Sequence, residues 1–434
     1  MYRHLLTIAV LTGIGFSMPA QEIWSFGDCV DWARENNISL RQSELSQQSA
    51  GVTLEGAKAQ WVPSLEFGTS QGYANTPMGD AGVDKNAYTS SYGLNGSWTL
   101  WDGGKRKADI NRSKTDVERS RWATDGLFRD IRTELLSIYV NILYAREALE
   151  VNRQLAEVSA SQAERSRQMM ESGRISIVDY QQLEAQAERD RYNTVSAEAD
   201  LASRKLQLRN LLELGIDRSI DVVPVTFDSL LVLSDLPPLA ESYDMALATD
   251  SRLRYDELSV AMADDDIKAA RAGSSPQISV NAGIGTGYYT TDSRGWGEQM
   301  KRSLNENVGL TLSIPILDHK KTKTAVAQAK IAKINSEYDV QARRQEIANT
   351  LEGWYIDMQS ARSRYVAAVA NERAAALSDE YVAERFAVGY VESTELLQSH
   401  QSLASARHEV IQAKYMALLA RKMVEFLRTG NITL

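Results

Sequence analysis

Apolar residues recur at alternating steps of four and three at Ile131, Leu135, Ile138, Ile142, Ala145 and Leu149. This is an a/d seam of period seven, which predicts a helix packed lengthwise on another helix. The spacing returns at Ile347, Leu351, Trp354, Met358, Ala361 and Tyr365, each displaced by 216 residues. Between Lys105 and Met170 there is no proline, and Gly126 is the one glycine, so residues 105–172 read as a single helix. At about 1.5 Å per residue, that helix is on the order of 100 Å long, several times the width of an ordinary domain. The chain is therefore expected to build something elongated, and to build it twice.

Other periods frame this helix. Asp28–Gln60 reads as a helix with Asp28 as N-cap, ending before Pro63. From Ser64 the period becomes two: Leu65, Phe67, Thr69, Gln71 and Tyr73 share one parity, with Gly68 and Gly72 on the other. Residues 75–86 are rich in Gly, Asn, Asp and Pro and read as a loop. Tyr88, Tyr92, Leu94, Trp98 and Leu100 mark a second strand, completing a hairpin over 64–100. Asp102-Gly103-Gly104 then turns into the long helix, and a return helix is expected over 177–212. Residues 214–240 form a linker, with a short strand around Val222, Val223 and Val225 and a stop at Pro237-Pro238.

The order then repeats, dividing the chain into repeats over 21–213 and 241–434. Leu40-Arg41, Glu44-Leu45 and Pro63 return 213 positions later as Leu253-Arg254, Glu257-Leu258 and Pro276. Asp102 and Gly173 return 216 positions later as Asp318 and Gly389, so the second hairpin, over 277–317, is three residues longer. Its strands alternate cleanly. Ile278, Val280, Ala282 and Ile284 oppose Gln277, Ser279, Asn281 and Gly283, while Val308, Leu310, Leu312, Ile314 and Ile316 oppose Asn307, Gly309, Thr311, Ser313 and Pro315. A long helix over 319–388 and a return helix over 391–428 complete the repeat.

The first 20 residues stand apart. Arg3 and His4, the apolar run Leu5–Phe16 and the small residue Ala20 have the form of a secretory signal peptide, leaving Gln21 as the mature start. Cys29, the one cysteine, lacks the context of a lipid-attachment site and excludes an internal disulfide framework. A net charge of −9 without a basic block argues against nucleic acid as a partner. No apolar run of membrane-spanning length follows Ala20, so entry into a membrane requires a β-barrel.

The strands have the length needed to cross a bilayer at a tilt, and their alternation suits lipid outside and water inside. A soluble sheet with one wet face has the same alternation. The signal peptide and the scarcity of apolar surface elsewhere favour the membrane. Phe67, Tyr73, Tyr88, Tyr92, Trp98, Trp101 and Tyr288 then suit interfacial girdles. Four strands cannot close a barrel, and open edges cannot sit in lipid, so copies must share one. Three copies make the smallest ring with a water-filled lumen. The polar, Ala- and Ser-rich helix faces suit a hollow cylinder of paired helices. The expected fold class is mainly α with a small β part: long coiled-coil helices forming an α-barrel, plus a transmembrane β-barrel shared between subunits.

Both turns between long helices place a glycine six positions before an acid. These are Ser172-Gly173-Arg174-Ile175-Ser176-Ile177-Val178-Asp179 and Val388-Gly389-Tyr390-Val391-Glu392-Ser393-Thr394-Glu395. With the duplicated order and the two hairpins, the chain from Asp28 to Thr429 resembles the TolC-type outer-membrane efflux and secretion channels, the outer membrane factors. The resemblance implies a passive homotrimeric duct across the outer membrane and the periplasm. A periplasmic adaptor (membrane fusion protein) and an inner-membrane pump would open it at its periplasmic tip. Glu395 matches an acidic ring position at the family's constriction, and the second such position is Gln398 here, not Asp. Asp179 would bond across the tip. Phe386 stands where some members place a Tyr and Val391 where they place an Arg, so their usual latch has no counterpart. Gly173, Arg174, Gly389 and Tyr390 would meet the adaptor. Simpler roles coexist with these: the glycines permit φ > 0 between helices, and acids are favoured in a first helical turn. A periplasmic coiled-coil adaptor or scaffold with a soluble β-domain is the alternative.

Other motifs point to no chemistry. Asp102-Gly103-Gly104-Lys105 lacks the spacing of a phosphate loop, and Gly283, Gly285 and Gly287 lie inside a strand rather than before a helix. His319, His400 and His408 show no ligand spacing. No enzyme activity, metal or cofactor is expected, and the identity of the cargo is not written in the chain.

Overall fold

The computed structural model describes residues 22–78, 86–225, 234–432 and 434. The expected signal peptide, much of the loop 75–86 and part of the linker 214–240 lie outside them. The fold is mainly α with a small β part, and among the described residues no helix is long and apolar enough to cross a membrane. Two compact units divide the chain, and each draws on both repeats. One comprises the chain up to Arg41 with Leu127–Thr249 and Ile347–Leu434; the other comprises Gln42–Gly126 with Asp250–Glu346.

The helix expected over 28–60 is two helices, α1 (Phe26–Asn36) and α2 (Ile38–Ala59). Ser25, not Asp28, is the N-cap. Its hydroxyl accepts from Asp28 N at 3.2 Å, and the Asp28 carboxylate accepts from Ser25 N at 2.8 Å, a reciprocal capping box. Between the helices Asn37 has ψ 124°. Its N–H still donates to Ala33 O at 3.0 Å, while its side chain accepts from Leu40 N at 3.1 Å. One residue thus ends a helix and caps the next. The second repeat breaks at the matching position: Asp250 separates α5 (Leu239–Thr249) from α6 (Ser251–Ala272) and accepts from Leu253 N at 2.8 Å.

Four long helices follow, α3 (Lys105–Glu171), α4 (Ile177–Leu211), α8 (Lys321–Ala387) and α9 (Ser393–Thr429), and the two heptad seams lie on α3 and α8. In the first unit, seam residues Ile131, Leu135 and Ile142 join Leu136, Tyr139, Leu208, Leu212, Leu418 and Phe426 in the main core. Glu22–Trp24 (β1) pairs in parallel with Ile220–Val222 (β4) beside it. The fully buried Tyr139 places its hydroxyl 3.2 Å from the carbonyls of Trp24 and Val223, tying this ribbon to α3.

The C-terminal end of α9 is clamped from α3. Arg129 donates to Thr249 O at 3.0 Å and Leu427 O at 3.4 Å, and Arg132 donates to Gly430 O at 2.8 Å and Asn431 Oδ1 at 3.0 Å. Both guanidinium groups lie over the Phe426 ring, at 4.8 and 5.1 Å from its centroid. They satisfy carbonyls at the negative end of the helix dipole. Arg132→Ala is expected to destabilise the protein by about 2 kcal/mol, the usual range for a charged hydrogen bond. Arg132→Lys should recover only part, since lysine loses the planar fork. Thermal unfolding of the purified protein checks both.

The second unit holds an antiparallel sheet in the order β2 (Ser64–Asn75), β3 (Asn86–Trp101), β5 (Gln277–Tyr289), β6 (Asn305–Ser313). The register aligns Phe67 with Leu94, Leu94 with Ile284, and Val280 with Leu310, so one face is apolar. The other face carries Gly93, Asn95, Gly283, Gly285 and Asn307, in register with one another. β2 and β6 each have one strand neighbour among the described residues.

Between the strands of the second hairpin, residues 289–305 contain a short helix, α7 (Trp296–Arg302). β6 reaches only to the partner of Gly285, and beyond it side chains supply the pairing. Gln299 accepts from Tyr289 N at 2.9 Å and donates to Tyr289 O at 3.1 Å; the Ser303 hydroxyl contacts Gly287 N and O at 3.3 and 2.7 Å. The end of β5 is thus capped as if by another strand.

Both hairpins turn into long helices through left-handed residues. Gly103 and Gly104 have φ of 71° and 89°, and the repeat places His319 and Lys320 there at 53° and 65°. Asp102 secures the first turn, accepting from Gly104 N at 3.1 Å, Arg106 N at 2.9 Å and Arg106 Nε at 3.0 Å. Arg106 in turn lies 4.2 Å above the Trp61 ring. At the second turn Asp318 accepts from Thr322 N at 2.8 Å.

Candidate functional site

Both candidate tips lie in the first unit and are built alike. At the end of α3, Gly173 adopts φ 72°, its N–H donates to Met170 O at 2.9 Å, and Arg174 N donates to Met169 O at 2.8 Å. At the end of α8, Gly389 adopts φ 80°, with matching bonds to Phe386 O at 3.0 Å and from Tyr390 N to Arg385 O at 2.9 Å. This paired pattern ends a helix on a left-handed residue that a Cβ would strain. Arg174 and Tyr390, at the apices, are exposed.

The return helices start differently. Ser176 caps α4 in a reciprocal box: Asp179 N donates to Ser176 Oγ at 3.1 Å, and Asp179 Oδ2 accepts from Ser176 Oγ at 2.7 Å and from Ser176 N at 3.2 Å. Glu392 caps α9 with no side-chain bond, so Glu395 has no such duty. Asp179 also bonds across the tip. Ser393 Oγ, almost fully buried, lies 2.6 Å from Asp179 Oδ1 and 2.8 Å from Gln182 Oε1. The Ser393 hydroxyl, and then Ser176, hold the Asp179 carboxyl below the usual carboxylate range.

Beneath this clasp Leu183, Phe386 and Leu396 form a small core flanked by Met169, Ile175, Val382 and Val391. Phe386 is a packing residue there, and Val391 lies beside it. Glu395 Oε1 lies 3.6 Å from Arg385 Nη1, both side chains half-exposed. Gln398, one turn on from Glu395 along α9, is exposed. One turn farther, the buried Asp379 accepts from Ser399 Oγ at 2.8 Å and approaches His400 Nδ1 at 3.5 Å.

Sequence reasoning missed Ser393, Gln182, Arg385 and the Asp379–His400 pair. Ser393 was hidden because the repeat aligns it with Ile177. His408 is 3.2 Å from Asn152 Oδ1, and His319 is exposed in the turn before α8. Among the described residues no group of three or more His, Cys, Asp or Glu side chains is placed to hold a metal.

Of the aromatic residues expected as girdles, Trp98, Trp101, Tyr73, Tyr88 and Tyr288 lie towards the two ends of the sheet, and Phe67 pairs with Leu94 between them. Trp98 donates from Nε1 to Trp61 O at 2.9 Å, and Trp101 is exposed near it at the helix-bearing end. Tyr88 and Tyr288 lie 6.5 Å apart at the far end, beside the exposed Tyr73. Tyr92 is half-buried between the ends.

The model of the "Outer membrane efflux protein" family matches residues 30–213 and again 242–427. The chain belongs to that family. The two matched segments fall within the expected repeats, 21–213 and 241–434. The chain is 24% identical over 399 residues to the outer membrane protein TolC of Escherichia coli K12, covering 89% of this chain and 78% of TolC. It is 23% identical over 403 residues to CyaE of Bordetella pertussis, covering 91% and 82%. A crystal structure of CusC superimposes with TM-score 0.79 at 19% identity over 95% of this chain and 93% of that one. The CmeC outer membrane channel of Campylobacter jejuni gives TM-score 0.79 at 17% identity, covering 94% and 86%.

The protein is therefore an outer-membrane channel of the tripartite efflux or type I secretion kind, reaching into the periplasm. Members of this family act with adaptors and pumps. Its family consists of transport ducts rather than enzymes. The adaptor alternative is set aside.

Proposed function

We propose that three copies of this chain share one barrel and form a passive duct, closed at rest near Glu395 and opened by an adaptor that engages the two tips. The observation that carries this is the sheet: four strands, one apolar face, and an unpartnered edge on β2 and on β6. Such edges cannot rest in lipid, and pairing β6 of one copy with β2 of the next removes them. The lipid-facing side is the apolar face; the glycine- and asparagine-rich face lines the lumen. The two repeats, 21–213 and 241–434, are copies of one helix–hairpin–helix–helix unit.

At the tips, Gly173, Arg174, Gly389 and Tyr390 form the adaptor contact. Glu395 and Gln398 face the axis, with Phe386 packed behind them and the Asp179–Ser393 clasp holding the turn. Three copies of Glu395 concentrate negative potential in a narrow pore and favour cations. Drugs, metal ions, solvents and polypeptides would all fit the same reading, because selection usually lies in the pump.

Glu395→Ala is expected to raise single-channel conductance or weaken block by divalent cations in a planar bilayer. If both stay at the wild-type value, the assignment of Glu395 to the constriction is wrong. Native mass spectrometry in detergent tests the stoichiometry, with a three-copy mass expected and a stable monomer contradicting it.

A further inference from the structure

In the second unit, helices and sheet meet at one end, where β2 and β5 begin and β3 and β6 finish. The side chains there change abruptly. Trp61, Trp98 and Trp101 are exposed there, as are Ile314, Ile316 and Leu317. Next to them stand cations. Lys58 closes α2, Arg271 closes α6, Lys107 lies in the first turn of α3, and Lys320, Lys321 and Lys323 open α8. All six are exposed and, among the described residues, none has a side-chain partner. Farther along the helices several cations are matched: Arg112 with Asp266 at 2.7 Å, Lys268 with Asp265 at 2.7 Å and Lys333 with Asp264 at 2.8 Å.

Fold stability does not explain these positions. Lys107, Lys321 and Lys323 sit at helix N-termini, the end where the dipole disfavours cations, and neither first turn contains an acid to offset them. Lys320 holds φ 65° where the first repeat uses Gly104. Asp102 and Asp318, just ahead of the two helices, are committed to backbone N–H groups, and Asp109 is taken by Lys105 at 2.7 Å. The chain as a whole carries net charge −9, so this collar opposes its overall sign.

We propose that the collar binds the phosphates of anionic glycerophospholipids in the periplasmic leaflet, with the three tryptophans at headgroup level. This rests on the membrane-barrel reading above. Cations next to an apolar belt reach lipid phosphate by extending along the bilayer surface, and indole rings prefer that same layer. The lipid supplies the negative charge that the two helix starts lack.

The test uses the full-length purified channel reconstituted in vesicles of phosphatidylcholine mixed with phosphatidylglycerol, one or the other carrying brominated acyl chains that quench tryptophan. The wild type is expected to prefer phosphatidylglycerol by about fivefold or more at about 0.1 M salt, with the preference falling towards unity at about 1 M salt. The variant K107Q/K320Q/K321Q/K323Q should lose most of the preference, and the same four positions as arginine should keep it. Heat-modifiable migration on a gel reports whether each variant is folded; if the glutamine variant is not, the salt series on the wild type decides. Equal quenching by the two lipids, a salt-independent preference, or a preference that survives in the folded glutamine variant overturns the proposal and leaves the barrel intact. Absence of quenching by either lipid overturns the barrel reading as well.

Discussion

Asp179→Ala is expected to shift the tip towards its open form by on the order of 30-fold, the equivalent of about 2 kcal/mol for losing charged hydrogen bonds. The carboxylate holds two elements at once: it completes the capping box on Ser176 and accepts from Ser393 across the tip at 2.6 Å. Ser393→Ala should reproduce the cross-tip share of the effect and spare the cap. Asp179→Asn should fall between, since the amide still accepts. The pH dependence follows from the direction of the shift. A depressed carboxyl pKa means that the stabilisation is fully present above about pH 4 and fades as pH falls through the lower, folded-state value. Open probability should therefore be flat from about pH 5 to 8 and rise only in stronger acid. Planar-bilayer recordings measure this directly. Wild-type open probability in Asp179→Ala would remove the clasp from any account of gating.

Leu135→Ala should cost about 3–4 kcal/mol, within the range for deleting a fully buried leucine. Leu135 has no exposed surface and packs in the main core with Tyr139 and Phe426 among its members. The expected readout is a lower midpoint in thermal unfolding of the purified protein, with single-channel conductance unchanged in the molecules that remain folded. A midpoint equal to that of the wild type would mean that the seam does not carry the stability assigned to it.

How much of this could be read from the chain depends on the kind of signal. The seam at Ile131, Leu135 and Ile142 was legible because burial there follows a fixed period. The sheet faces were legible because cross-strand partners such as Val280 and Leu310 share a parity. The helix breaks at Asn37 and Asp250 were not, because neither position has a glycine or proline; an Asx side chain replaces the lost backbone bond. α7 was not legible because its 7 residues are too few to show a period, and a single glutamine, Gln299, organises the segment through bonds to Tyr289, Asp292 and Arg294. At the tips, the glycines and acids were found through the repeat. Ser393 breaks the repeat and so escaped it, as did Arg385, whose pairing with Glu395 depends on the geometry of the turn.

The two unpartnered strand edges bear on biogenesis. A solitary subunit crossing the periplasm would carry backbone donors and acceptors ready to zip onto any extended segment, which is the chemistry of misassembly. Insertion cannot come first and association second, because lipid rejects an unclosed sheet. With the barrel shared as proposed, folding into the bilayer and finding sibling chains must be one event, and its yield should climb steeply with the amount of chain exported.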